Sequence, residues 1–298
     1  MAITTISKGG LSAAVDSKGA QLTSLALDGA EYLWQQDPKW WPRSAPVLFP
    51  IVGSLRGDEA ESAAGPCTMG RHGIARGYEH KVVELAEDGS SVTFELCDTL
   101  SSRSAYPYQF KLNMSYAITG LATLTQTFRV TNTGSVNLPF SVGGHPAFNV
   151  PVPGGAEVGE GFEDYELVFA EPWTAVVPKF FDDGVINDGD AFIAVDNAST
   201  MPITHRTFDD DALMFTRVPG NTVTLRGTKS GHGVRVDFPG FDFLGVWSAL
   251  NDAPFVALEP WTGHSTLASE DNVFEHKENI TILKPGAVFE RAFDITVF

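Results

Sequence analysis

The sequence predicts an all-β protein made of antiparallel sheets stacked as a sandwich. Three observations carry that expectation. Apolar residues recur at every second position in many short runs, clusters of turn-forming residues separate those runs, and few windows show a helical period.

The elements follow in chain order. SKGGLS (7–12) is a Gly/Ser turn, and Phe49 to Val52 read as a buried strand. AEDGSS (86–91) breaks the chain before SVTFEL (91–96), where Val92, Phe94 and Leu96 alternate with Ser91, Thr93 and Glu95. In FKLNMSYAI (110–118), Phe110, Leu112, Met114, Tyr116 and Ile118 share one face. In TLTQTFRVTN (123–132), Leu124, Phe128 and Val130 face one way, and Thr123, Thr125, Thr127, Arg129 and Thr131 the other. TNTGSVN (131–137) turns the chain into the apolar LPFSV (138–142). The Gly/Pro-rich, acidic 151–164 reads as a long surface loop before DYELVF (164–169). NTVTLRG (221–227), the turn TKSGHG (228–233), GVRVDF (233–238), PFVAL (254–258) and FDITVF (293–298) complete the pattern. No linker or fixed repeat interrupts it, so residues 1–298 are expected to form one domain.

Twenty basic against 37 acidic residues give a net charge of −17, which excludes the basic footprint that nucleic acid or an anionic membrane requires. A small neutral ligand is compatible with that charge. Cys67 and Cys97 form no metal-ligand spacing and read as reduced thiols, so no metal site is expected. The N-terminus has no apolar core of a signal peptide, and no run is long enough to span a bilayer. A cytoplasmic protein, monomeric or weakly dimeric, is expected. No dinucleotide fingerprint, phosphate loop or serine elbow is present, so no cofactor is expected.

Several residues carry candidate chemistry. His145 lies in SVGGHPAFNVP (141–151), after two glycines and before a rigid proline, where an apolar strand ends. A histidine bonding a loop carbonyl fits the same stretch. Glu259 follows PFVAL and precedes Pro260 and Trp261; lost hydration there raises a carboxyl pKa and strengthens the base, although a structural buried glutamate fits equally. His72 sits among glycines and arginines in MGRHGIARGYEH (69–80), either a donor set for a polar ligand or a solvated basic loop. Arg56, after the run 49–52, offers a planar donor, or a surface charge beside Asp58 and Glu59. Asp211, last of three aspartates and first before ALMF, is the one placed to turn inward. Trp34, Trp40, Trp41 and Trp261 offer flat faces of the kind that pack on sugar C–H groups, with core packing the ordinary alternative.

In order along the chain, SAPVLFPIVGSLRGD, HGIAR, the 106–118 and 124–134 strands, PFSVGGHPAFNVP, EDYELVF, DDALMF, ALEPWTG and HKENITILKPG resemble the aldose 1-epimerases (mutarotases), in particular the LacX-like subgroup. The combination of GGHPAFNVP with a distant EPW is the specific part. The resemblance implies the galactose mutarotase-like β-supersandwich and interconversion of the α and β anomers of a monosaccharide. It implies that His145 is the acid and Glu259 the base, and that His72 and Asp211 bind substrate. Where the subgroup usually has arginine, this chain has Ser54; Arg56, two positions on, is expected to reach the same face.

In such a reaction Glu259 takes the proton of the C1 hydroxyl while His145, facing it across the ring, protonates the ring oxygen. Those roles predict a bell-shaped pH dependence. Two other readings remain. One is a hexose-phosphate mutarotase, with Arg71 and Arg76 supplying cations. The other is a non-catalytic carbohydrate-binding or sensing protein on the same scaffold.

Overall fold

The computed structural model describes residues 2–298. Its architecture is antiparallel β, and the α-helix is confined to Leu100–Ala105 among the described residues. Nine strands form the largest sheet, in the order Ile186–Pro202, Tyr165–Phe180, Thr222–Gly227, Gly233–Asp237, Val288–Val297, Thr123–Asn132, Phe110–Ile118, Ser91–Cys97 and Lys81–Leu85. The alternation read from the sequence is the burial pattern of its middle strands. In Phe110–Ile118 the apolar residues are buried and the intervening ones half-buried, and Met114 lies opposite Phe128 in the next strand.

The apolar face of that sheet meets a second sheet of Leu213–Thr216, Phe243–Trp247, Phe255–Trp261, Gly143–Gly144 and Val47–Leu48, with Ala147–Asn149 also paired to Phe255–Trp261. A four-stranded sheet at the N-terminus, Ile3–Lys8 to Ala30–Glu31, adds to the same core, so that Leu11 and Leu22 join Tyr116, Phe128, Phe148 and Leu258 in one apolar cluster. No helix is long and apolar enough to cross a membrane.

Two local differences from the sequence reading bear on function. The ladder expected at 49–52 ends at Leu48, because Pro50, reached through a cis peptide bond, has no N–H to donate. Gly143 and Gly144 do not form a tight turn. They lie in the ladder, Gly143 paired with both Leu48 and Trp261. A β-carbon at Gly143 would fall 2.7 Å from Trp261 Cδ1, and one at Gly144 would fall 2.6 Å from Phe293 Cζ. The glycines therefore make room for two aromatic rings.

The hairpin Tyr165–Phe180 and Ile186–Pro202 runs to the edge of the second sheet. Its turn end is tied down there. Ile186 N–H donates to Thr266 O at 2.9 Å, Ala268 N–H donates to Ile186 O at 2.8 Å, and the Ser269 hydroxyl bonds the Asp188 carboxylate.

Replacing Gly144 with alanine forces a methyl group into Phe293. The expected loss is about 1–3 kcal/mol of unfolding free energy. A urea midpoint equal to that of the parent protein would contradict this account of the glycine pair.

Candidate active site

The site begins with an antiparallel register. Gly143 lies opposite Trp261, and Ala147 lies opposite Ala257. Two residues in from either end, His145 falls opposite Glu259. Strand parity places Glu259 on the same face as Phe255, Ala257 and Trp261, away from the Val256 and Leu258 side chains in the main core. Cross-strand neighbours on one face lie about 5 Å apart at Cβ. Here His145 Nε2 is 3.2 Å from Glu259 Oε2. Gly245 lies opposite Glu259 on its other side, and the Trp261 ring fills the space its missing side chain leaves.

The pair lies at the floor of a cavity that Trp41, His72, Trp247 and Trp261 also line. Glu259 is 1% and His145 7% exposed. Trp41 stacks on His145 at 4.8 Å, while Trp247 and His72 approach it edge-on at 5.6 and 5.5 Å. Within the described residues, His145 Nδ1, Glu259 Oε2 and Trp261 Nε1 are buried and carry no hydrogen bond. Orphaned polar atoms are costly in a core and are explained by a ligand that completes them.

Burial sets the charge of the pair. It pushes the Glu259 carboxyl well above the usual range; Asp211 adds to this, and Trp261 and Arg71 partly offset it. It also holds His145 down to about 3, with Arg76, Arg43 and Arg71 acting in the same direction. Burial thus works against a charge on either member of the pair, raising the carboxyl and lowering the imidazole.

His72 and Asp211 also line this cavity, both with left-handed backbone (φ 70° and 81°) that is unfavourable for non-glycine residues. Gly53 N–H donates to His72 Nδ1 at 3.1 Å, so the neutral ring carries its proton on Nε2. Burial first, then His145 and the arginines, keeps His72 well below its ordinary pKa. Arg71 Nη1 donates to Asp211 Oδ2 at 3.3 Å and its Nε to Ser54 Oγ at 3.2 Å.

Arg56 is a correction. It does not line the cavity, because the chain turns at Arg56–Asp58 and strand parity with Ser54 is lost. Its Nη2 donates instead to the carbonyls of Leu267, Ala268 and Glu270 at 2.9, 3.1 and 3.1 Å. The guanidinium beside Ser54 is that of Arg71, brought from another segment. The expected placement across a ring is also corrected, since His145 and Glu259 sit side by side on one wall. Of the tryptophans, Trp41 and Trp261 line the cavity, and Trp34 packs against Phe255. Sequence reasoning did not single out Trp247, Phe180, Gly184 or Ser265, which also line it. Only Trp247 carried a signal, as the apolar end of GVW.

The model of the aldose 1-epimerase family matches residues 1–272. The plasmid-encoded protein LacX of Lactococcus lactis subsp. lactis is 40% identical over 287 residues, covering 94% of each chain. A galactose mutarotase related enzyme from Lactobacillus acidophilus superposes with a TM-score of 0.92 at 31% identity, over 100% of this chain and 97% of that one. A galactose mutarotase-like protein from Lactobacillus casei superposes with a TM-score of 0.89 at 28% identity, over 100% of both chains.

Three buried histidines and the half-buried His72 make the fold acid-sensitive. Burial lowers His72 and His264, holds His80 near about 4 and His145 near about 3. Their unfolded values lie near 6.5, so below that pH the unfolded chain binds more protons and stability falls. The raised Glu259 acts in the opposite direction and offsets His145. The remaining three each contribute a loss of up to about 1.4 kcal/mol per pH unit below 6.5. Urea denaturation at pH 7 and pH 5 is expected to show lower stability at pH 5; equal stability at both would contradict the neutral histidines.

Proposed function

This chain belongs to the aldose 1-epimerase family, and we propose that it interconverts the α and β anomers of a free aldose, with Glu259 as base and His145 as acid. The observation that carries this reading is their 3.2 Å separation at a cavity floor. The two reacting oxygens of a pyranose, O1 and the ring oxygen, are both bonded to C1. Groups that serve them must be neighbours, which one wall provides and opposite sides of a ring would not.

Sugar hydroxyls that donate to Glu259 favour its ionised form and move the shared proton to His145. The carboxylate then removes the O1 proton as His145 protonates the ring oxygen, and the C1–ring oxygen bond breaks. The open aldehyde rotates about C1–C2. Ring closure on the other face returns the proton from Glu259 to O1, while the attacking C5 hydroxyl gives its proton to His145. The pair is net neutral before and after each step, so the buried cavity never holds an extra charge. The proton count closes without a metal, cofactor or covalent intermediate. His72 Nε2–H and the Arg71–Asp211 pair supply donors and an acceptor for the remaining hydroxyls.

One observation favours a second reading, a hexose phosphate as substrate. Arg76 lines the cavity and, among the described residues, has no carboxylate partner; burial, Arg43 and Arg71 bring its pKa down to about 10. A KM for glucose 6-phosphate at least tenfold below that for glucose would establish this reading.

Polarimetry on fresh pure anomers tests the roles. Glu259→Gln and His145→Asn are each expected to lower kcat by about 10²–10⁴. Rates equal to the parent would remove both residues from the chemistry. Sugar binding without anomerisation in the parent protein would make it a binding protein.

The pH dependence of kcat/KM forms a second test. The free pair keeps one proton until the high Glu259 limit is passed, and gains a second only near the low His145 limit. A broad plateau through neutral pH is expected, with an alkaline fall. An inflection near 6.5, the ordinary histidine value, would show the two groups titrating separately.

A further inference from the structure

His145 meets Glu259 through Nε2, but the other edge of its ring has no polar anchor: Nδ1 is buried and makes no hydrogen bond among the described residues. A histidine that moves protons is ordinarily fixed in plane and tautomer by a partner on its second nitrogen. Here rings surround it instead. Trp41 lies against the face of the imidazole, with centroids 4.8 Å apart and planes 26° from parallel, while Trp247 and His72 meet it edge-on.

We propose that Trp41 is the positioning residue of the acid: its indole face fixes the plane of the His145 ring with Nε2 toward Glu259 and stabilises the imidazolium form. This rests on the reading that His145 is the acid.

Three arguments support it. The first is anchorage, since the segment that carries Trp41 is fastened at several points. Trp34 Nε1–H donates to Trp41 O at 2.9 Å, Trp41 N–H donates to Asp37 O at 3.0 Å, and Trp40 Nε1–H donates to Asn251 O at 2.9 Å. The Trp41 ring also stacks on Phe255 at 5.7 Å and meets Trp247 edge-on at 5.4 Å. The second is packing. Trp34, Phe255, Ala147 and Ala257 belong to a cluster separate from the main core, and Trp41 and Trp247 pack against it. Ala147 lies opposite Ala257, and Ala257 opposite Trp247, so small side chains leave room for indoles beside the acid. The third is charge. His145 must hold a proton before each ring opening. Burial opposes that charge and Arg76, Arg43 and Arg71 add to the opposition, while the carbonyl of His145 itself offsets them in part. An indole face attracts a cation without burying a further anion, and in a desolvated site it favours the charged form by about tenfold.

The test compares the parent with Trp41→Phe, which keeps a flat ring, and with Trp41→Leu and Trp41→Met, which keep apolar bulk without one. Polarimetry on pure anomers of glucose and galactose gives kcat and KM. Calorimetric titration with the matching 1,5-anhydro sugar, which has no O1 and cannot react, gives Kd. The two ringless variants are expected to lower kcat about tenfold with Kd within about twofold of the parent, and Trp41→Phe to keep kcat within about threefold. In the ringless variants the alkaline limb of kcat is expected to move to lower pH by up to about one unit, because a less stabilised imidazolium gives up its proton sooner. Glu259, His72, Arg71, Arg76 and Arg43, the charged and titratable groups around the ring, are the same in every protein. Unchanged kcat without the ring, or Trp41→Phe as slow as Trp41→Leu, would overturn the proposal. A loss confined to KM and Kd would also overturn it and make Trp41 a sugar platform. If the parent anomerises neither sugar, the catalytic reading fails by itself, and histidine-ring 1H–15N spectra decide the placement. His145 is expected in one tautomer in the parent and in Trp41→Phe, and in a mixture in the ringless variants; one tautomer in all four proteins, or a mixture in the parent, refutes the role of Trp41.

Discussion

The register between the strand Phe255–Trp261 and its neighbour governs the chemistry of this protein. Gly143 opposite Trp261 and Ala147 opposite Ala257 bring two residues more than a hundred positions apart into contact on one face. A slip of one residue would turn Glu259 into the core and Leu258 out of it. The register is pinned on both sides. Gly143 and Gly144 admit Trp261 and Phe293, and Gly245 admits the Trp261 ring from the opposite strand. Packing that looks purely structural therefore fixes the distance between His145 and Glu259.

The electrostatics follow from that position. A lone carboxylate or imidazolium at this depth would be costly, but a pair that passes one proton between its members has no net charge to bury. Arg71 bears on both members, favouring the carboxylate and disfavouring the imidazolium, and Arg76 and Arg43 add to its effect on His145. In a chain of net charge −17, Arg71 and Arg76 nevertheless line this cavity.

Much of the fold was legible in the sequence because the nine-stranded sheet is covered on one face only, and its strands alternate accordingly. Phe110–Ile118 and Thr123–Asn132 occupy the spans that alternation marks. The catalytic strand was not legible in that way. All seven residues of Phe255–Trp261 are buried, so no polar positions reveal its period. His145, Glu259, His72 and Asp211 were reached through local chemistry and family likeness, and they meet in one cavity. Arg56 was misplaced because parity was extended past the end of a strand. The arginine beside Ser54 comes from the His72 segment, and only three-dimensional proximity reveals such a substitution. Phe180 and Gly184 had no local signal, since a hairpin tip acquires its role from where the arm ends.

Arg56 nevertheless acts on the site at one remove. It holds the carbonyls of Leu267, Ala268 and Glu270; that segment bonds Ile186 at the turn end of the hairpin, beside the Phe180 and Gly184 that form part of the cavity wall. One wall of the cavity is thus braced from behind by a guanidinium that never touches the site. Such a frame suits a reaction whose substrate and product are near-equal in energy and shape, since both must come and go through it with the same ease.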